Sequence, residues 1–168
     1  MTAQISSTNP ELPNAAPIHD AAALTQYIET RYHQRHRAQL PPLAEMAERV
    51  ETAHAGDASL PQGLSTLLRR MIGEIEVHMK KEELILFPAI RSGGRPGIEK
   101  LIAVMRADHN NHDSDIADIR RLTGNLRLPE GACGTWTALY TGLAEFIVDL
   151  SEHMRLENDV LFPQFEQQ

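Results

Sequence analysis

The chain has 168 residues, with 16 Lys and Arg against 23 Asp and Glu for a net charge of −7, and is 42% hydrophobic but only 5% aromatic. That length suits one domain with one core, and the scarcity of aromatics favours helices packed with Leu, Ile, Ala and Met over a strand-rich sandwich. The acid excess excludes the basic footprint that a nucleic-acid partner requires, and no apolar run reaches membrane-spanning length.

Residues 1–17 are rich in Ser, Thr, Asn, Pro and Ala and read as a disordered tail ahead of a bundle over 18–168. Met1–Ser7 has no positive cluster followed by an apolar run, so no signal peptide is expected. With a single cysteine, Cys133, there is no intramolecular disulfide and no thiolate-rich metal site. A soluble cytoplasmic protein is the expectation. The first helix is predicted from about His19 to His54, kinked or restarted at Pro41-Pro42, whose missing donors interrupt the ladder. A second runs from about Pro61 to Arg91 and stops at Ser92-Gly93-Gly94-Arg95-Pro96-Gly97. The third covers about Pro96 to Thr123, and the fourth about Gly134 to Leu161, closed by Phe162-Pro163. No segment alternates at period two. The fold class is therefore all-α, an antiparallel up-down four-helix bundle.

The polar residues on the core stripes carry the chemistry. In the second helix Leu64, Leu68, Met71 and Ile75 step by four, three and four, and the series continues through His78, Glu82 and Ile85. The fourth sets Leu139, Leu143, Phe146 and Leu150, then His153 and Glu157. The third gives Ile98, Ile102, Met105, His109, His112, Ile116 and Ile119, and the first His33, His36, Leu40, Leu43 and Val50. Buried ionised carboxylates are costly unless paired or bound to metal, so two glutamates among several core histidines call for one shared explanation.

The segment from His78 to Pro88 and the segment from His153 to Pro163 share His, Met, Glu, Leu, Phe and Pro in register, 75 residues apart. His33 and His36 form H-x-x-H, repeated 76 residues later by His109 and His112. A helical hairpin is thus used twice, with His on one helix and H-x-x-x-E on the next. Residues four apart are neighbours on a helix surface, so each His–Glu pair can bind one metal or reach toward a second. His78 and His109 both lie about 20 Å from their connecting turn at 1.5 Å per residue, so they are expected at one level.

These residues bring out a resemblance. Arg31-Tyr32-His33-Gln34-Arg35-His36-Arg37, the two H-M-x-x-E-x-x-x-L-F-P segments and Ala132-Cys133-Gly134-Thr135-Trp136 resemble the hemerythrin-like (HHE cation-binding) domain, closest to the iron–sulfur cluster repair, or repair-of-iron-centres, di-iron proteins. The resemblance implies two non-haem irons held by His33, His78, His109 and His153 and bridged by Glu82 and Glu157, and it favours His33 over His36, which the stripe left undecided. His36 and His112 then become supporting or solvated residues, and Glu74, Asp108 and Asp113 are further candidates for the surroundings of the ligands. Asp113 stands where oxygen-carrying hemerythrins have a second third-helix His, which argues against a plain oxygen carrier. Repair-type relatives commonly carry an N-terminal cysteine-bearing module, where this sequence has only its short polar tail, so a role needing that dithiol would fall to a partner.

Nitrogen and oxygen donors without thiolate lean toward iron. Six residues fill roughly eight of about twelve coordination positions, and a bridging oxide or hydroxide takes two more, which leaves room for a diatomic ligand, NO or O2. The expected function is a di-iron protein of the nitrosative and oxidative stress response, binding or reducing nitric oxide or supplying iron for repair of damaged iron–sulfur proteins. The alternative is a reversible sensor or store for O2, NO or iron without turnover. A di-zinc or di-manganese hydrolase is disfavoured by the lack of a nucleophile motif, a phosphate-cradling loop or a basic pocket.

Overall fold

The computed structural model describes residues 15–166. Four long helices make up the bundle: α1 (21–53), α2 (64–91), α3 (98–122) and α4 (134–161), with a closing turn at Pro163–Glu166. No strand occurs among the described residues. Of the expected N-terminal tail, residues 1–14 lie outside the described residues. Asp20 starts α1 by accepting the Ala23 N–H at 3.0 Å, which satisfies one of the free donors of the first turn. Between α2 and α3 the chain reverses through Gly93, Gly94 and Gly97 at φ 90, 94 and 85°, conformations that side-chain-bearing residues avoid. Helix α1 packs against α2 and α4, and α3 also lies against both of them.

Every stripe position named above is buried except Ile85, which is 45% exposed. Leu86 takes its place at 1%. The cause is a widened, π-helical turn at Glu82–Leu86, where the Phe87 N–H reaches back five residues to the Glu82 carbonyl. One extra residue enters the turn, and the inward face moves on by one. Leu156–Leu161 repeats this in α4, with the Phe162 N–H on the Glu157 carbonyl at 2.8 Å. Pro88 and Pro163 follow directly, and the wider turn accommodates a ring that would otherwise meet the carbonyl four residues back. A third such turn, Glu29–His33, lies in α1.

The helix does not restart at Pro41-Pro42. Gln34–Ala53 runs as one helix with both prolines inside it. Tertiary packing decides the matter, since Leu40, Leu43 and Ala44 around the pair are at most 3% exposed. The break in α1 falls earlier, at the π turn that ends on His33.

The core comes in two apolar clusters. One contains Leu68, Ile75, Leu143 and Phe146, the other Leu24, Phe87, Ile102 and Phe162. On all four helices the histidines and glutamates separate them as a polar layer. Truncating Leu86 to Ala should cost about 2–5 kcal/mol of unfolding free energy in urea melts. Ile85→Ala should stay within about 0.5 kcal/mol. The reverse order would mean α2 keeps plain α-helical register past Glu82.

Candidate metal centre

His33, His78, His109, His153, Glu82 and Glu157 are each at most 2% exposed and converge at one level. They form two overlapping groups, His33/Glu82/His153/Glu157 and His78/Glu82/His109/Glu157, within each of which one donor atom per residue lies within 4.8 Å of the others. Each carboxylate spans both groups. Glu82 places Oε2 3.2 Å from His33 Nε2 and Oε1 3.3 Å from His78 Nε2. Glu157 places Oε1 3.1 Å from His153 Nε2 and Oε2 3.0 Å from His109 Nε2.

The far side of every imidazole is held. His33 Nδ1 donates to Glu83 at 2.9 Å, His78 Nδ1 to Asp108 at 3.3 Å and His109 Nδ1 to Asn158 at 2.8 Å. His153 Nδ1 faces His36 Nε2 at 3.2 Å, and His36 Nδ1 faces Gln39 Oε1 at 3.5 Å. Protons assigned along these bonds sit on the outer nitrogens of His33, His78 and His109 and leave their Nε2 atoms as acceptors, whereas His153 Nε2 is hydrogen-bonded to Glu157 Oε1 at 3.1 Å. Those acceptors face carboxylate oxygens, which are acceptors too. Accordingly His33, His78 and His109 Nε2, both Glu82 oxygens and Glu157 Oε2 are buried without a hydrogen-bond partner. Only something positive between them makes the arrangement tolerable, so the residues fit a pair of metal ions.

The duplicated hairpin explains how the sequence builds this. In each copy the residue after the buried glutamate bonds the histidine of the preceding helix: Glu83 holds His33 and Asn158 holds His109. The phenylalanine five residues after each glutamate stacks on that same ring, Phe87 on His33 and Phe162 on His109, each at 5.8 Å between centroids. Tyr32 stacks on His153 at 5.8 Å.

Burial, then the charge of neighbouring His153, lowers the His33 pKa to about 3, and burial carries His36 to about 2 and His112 to about 3. Burial and the facing Glu157 push Glu82 well above the usual carboxylate range. Burial also works against ionised Glu157, but His153 and the His109 bond outweigh it and hold its pKa well below that range. For His109, burial is overcome by the facing Glu157 carboxylate and the bond to Asn158, and the pKa rises.

The other sequence candidates divide. Asp108 adjoins the centre, and its bond to His78 lowers its pKa. His36 and His112 are 0% and 3% exposed, so neither is solvated. Glu74 is exposed and pairs with Arg70 at 2.9 and 3.0 Å instead of reaching His78. Asp113 is exposed and joins neither group. Glu83, Asn158 and Gln39 were not foreseen. The signal for the first two was present, since a polar residue follows the bridging glutamate in both copies of the repeat.

Two outcomes are expected. Glu83→Gln should weaken metal binding about 10–100-fold by loosening His33. Although burial opposes it, bonds from Arg37 and His33 bring the Glu83 pKa from 4.5 down to about 2. Its contribution to stability is therefore complete above pH 4.5 and is lost as pH falls toward 2. Acid unfolding of the Gln variant should lack that component. Separately, the raised pKa values of Glu82 and His109 make protons compete with metal at these groups, so apparent affinity should rise with pH. Calorimetry in buffers of different ionisation enthalpy would read the proton release, and a pH-independent affinity would contradict the assignment.

Residues 25–165 match the Hemerythrin HHE cation binding domain. The chain is also 48% identical over 140 residues to the iron-sulfur cluster repair protein YtfE of Yersinia pseudotuberculosis serotype O:1b (strain IP 31758), covering 83% of this chain and 63% of the relative. The protein of the same name from Yersinia pestis (strain Pestoides F) matches with the same identity and coverage. The chain thus spans a little under two thirds of these curated relatives, at 63%. No helix among the described residues is long and apolar enough to cross a membrane. With a matching domain that runs through all four helices and the polar layer between them, the chain belongs to the hemerythrin HHE cation-binding family.

Proposed function

We propose that the chain is a non-haem di-iron protein in which His33 and His153 hold one iron, His78 and His109 the other, and Glu82 and Glu157 bridge both. The observation that carries this is the aim of the two carboxylates, each with one oxygen toward either histidine pair. Two histidine nitrogens and two carboxylate oxygens per metal leave about two of six octahedral positions for small ligands. The donor set is borderline-hard and free of thiolate, which suits iron and manganese.

In this reading the protein binds or reduces nitric oxide, or supplies iron to damaged iron–sulfur proteins, and works in the nitrosative and oxidative stress response of the cytoplasm. The name of its relatives, iron-sulfur cluster repair protein, supports the repair role. Two ferrous ions would supply the two electrons that converting two nitric oxide molecules to nitrous oxide and water consumes. The chain's own contribution is to fix geometry and protonation. Glu83, Asp108, Asn158 and His36 keep the outer nitrogens engaged, so each inner lone pair stays available. Phe87, Phe162 and Tyr32 close over the rings and keep bulk water from them.

Metal analysis of natively purified protein should return two irons per chain. Glu82→Ala and Glu157→Ala should lose metal while retaining most helix content by circular dichroism. His36→Ala should be milder than His33→Ala, and equal losses would place the α1 ligand wrongly. Single-turnover reaction of reduced protein with nitric oxide separates turnover from storage. Release of nitrous oxide supports reduction, whereas nitric oxide taken up and returned unchanged supports a reversible sensor or store.

A further inference from the structure

The two halves of the centre are built from one repeat, yet they are not supported alike. A shift of 76 residues maps Tyr32, His33, His36 and Gln39 onto Asp108, His109, His112 and Asp115. In the first half His36 is fully used, bonded to His153 on one side and facing Gln39 on the other. The corresponding ring, His112, lies just as close to His78, at 5.1 Å between centroids against 5.3 Å for His36 and His153. It makes no bond there, because Asp108 holds the outer nitrogen of His78. Both His112 nitrogens are therefore buried without a partner, in a side chain 4% exposed.

A cleft of about 740 Å³ between α2 and α3 takes in His112. Asp115 lines it as well, 4% exposed at the side chain, with Arg70 on Oδ1 at 2.7 Å and nothing on Oδ2. Oδ2 lies 4.0 Å from His112 Nδ1, a separation that one ion placed between them would bridge. Where the first half has neutral Gln39, the second thus has a carboxylate. Glu74, Asp108 and Asp118 join Asp115 in the lining against two cations, Arg70 and Lys81, so the cleft carries a net negative charge that draws in positive ions.

We propose that His112 and Asp115 form a staging site for a single divalent cation, such as ferrous iron, on its way into or out of the two-metal centre. The proposal rests on the di-metal reading above and deepens it. A buried imidazole with two free nitrogens beside a half-paired carboxylate supplies one nitrogen and one oxygen donor, with water completing the shell. Two protein ligands hold an ion loosely, as transit requires, while four hold it in the centre. Asp108 stands between the sites, bonded to His78 on one side and to Lys81 at 2.9 Å on the other.

The test uses the full chain and two readouts. Protein already holding two irons is titrated with Mn(II) and followed by electron paramagnetic resonance of the free ion. One further weak equivalent is expected, lost in His112→Ala and in Asp115→Asn but kept in Asp113→Asn, an exposed neighbour on the same helix. Metal-free protein is then loaded anaerobically with ferrous iron. His112→Ala should load about tenfold more slowly, of the order that changes around metal ligands produce, yet reach the same final iron content and helix content. Absence of the extra Mn(II) equivalent in the unsubstituted protein overturns the site. An unchanged loading rate overturns its role. If the unsubstituted protein never reaches two irons while the weak Mn(II) equivalent persists, the two-metal centre fails and the staging role with it, but the cation site stands.

Discussion

The structure turns on acceptors facing acceptors. Four imidazole nitrogens and four carboxylate oxygens meet in a buried layer, and six of the eight have no hydrogen-bond partner. An unpartnered buried polar atom costs about 1–3 kcal/mol, and buried carboxylates cost more, so such a layer would oppose folding if nothing positive entered it. The opposite shifts of Glu82 and Glu157, two carboxylates packed face to face, express the same constraint. Ionising both requires compensating charge. Two apolar clusters, above and below the layer, supply the driving force that holds these groups together.

Duplication of one hairpin makes the site economical to encode. A short stretch, His, then Glu four residues later, a polar residue next and Phe four beyond, supplies two members of the polar layer, a hydrogen bond to a histidine of the preceding helix and a ring that stacks on that histidine. The π turn belongs to this unit. Without the extra residue, the inward position after Glu82 would fall on Ile85 and the Phe87 ring would be turned away from His33. Widened turns that arise at functional sites often serve to re-aim a side chain in this way. Here the re-aimed groups are the aromatic lids of the centre.

Much of this was legible in the chain. Hydrophobic periodicity placed the four helices to within a few residues, because amphipathic stripes of 3.6 spacing follow directly from helix geometry. The same stripes carried His78, Glu82, His109, His153 and Glu157 inward, and the structure brings them together with His33. What escaped were effects that a straight α-helix does not contain. The π turns displaced Ile85, and packing carried α1 through Pro41-Pro42. Glu74 sits one turn before His78, but on a face turned to solvent, where Arg70 claims it. Spacing along a single helix cannot distinguish it from Asp108, which reaches His78 from a neighbouring helix. Partners that cross between helices, such as Glu83 with His33, depend on how the helices are rotated against each other, and no local pattern encodes that rotation.

The broken symmetry between the halves separates what the fold requires from what it leaves open. His36 is fixed by its neighbours: Phe146 packs edge-on against its ring, Tyr32 lies alongside, and both nitrogens have partners. His112 occupies the equivalent place with none of its hydrogen-bonding capacity used, although it is 3% exposed against 0% for its counterpart. Structural need alone would have filled that position with an apolar side chain, since replacing unsatisfied buried polar groups by apolar ones is neutral or stabilising. Replacement of Tyr32 by Asp108 and of Gln39 by Asp115 in the second copy moves charge to the side where the cleft opens. A cleft of about 170 Å³ with one cation and one anion in its lining, Arg37 and Glu76, reaches His36 in the first half, whereas the cleft of about 740 Å³ at His112 is larger and acidic. If His112 and Asp115 stage a metal ion as proposed, the larger acidic cleft is its route, and two identical hairpins can provide that difference only by ceasing to be identical.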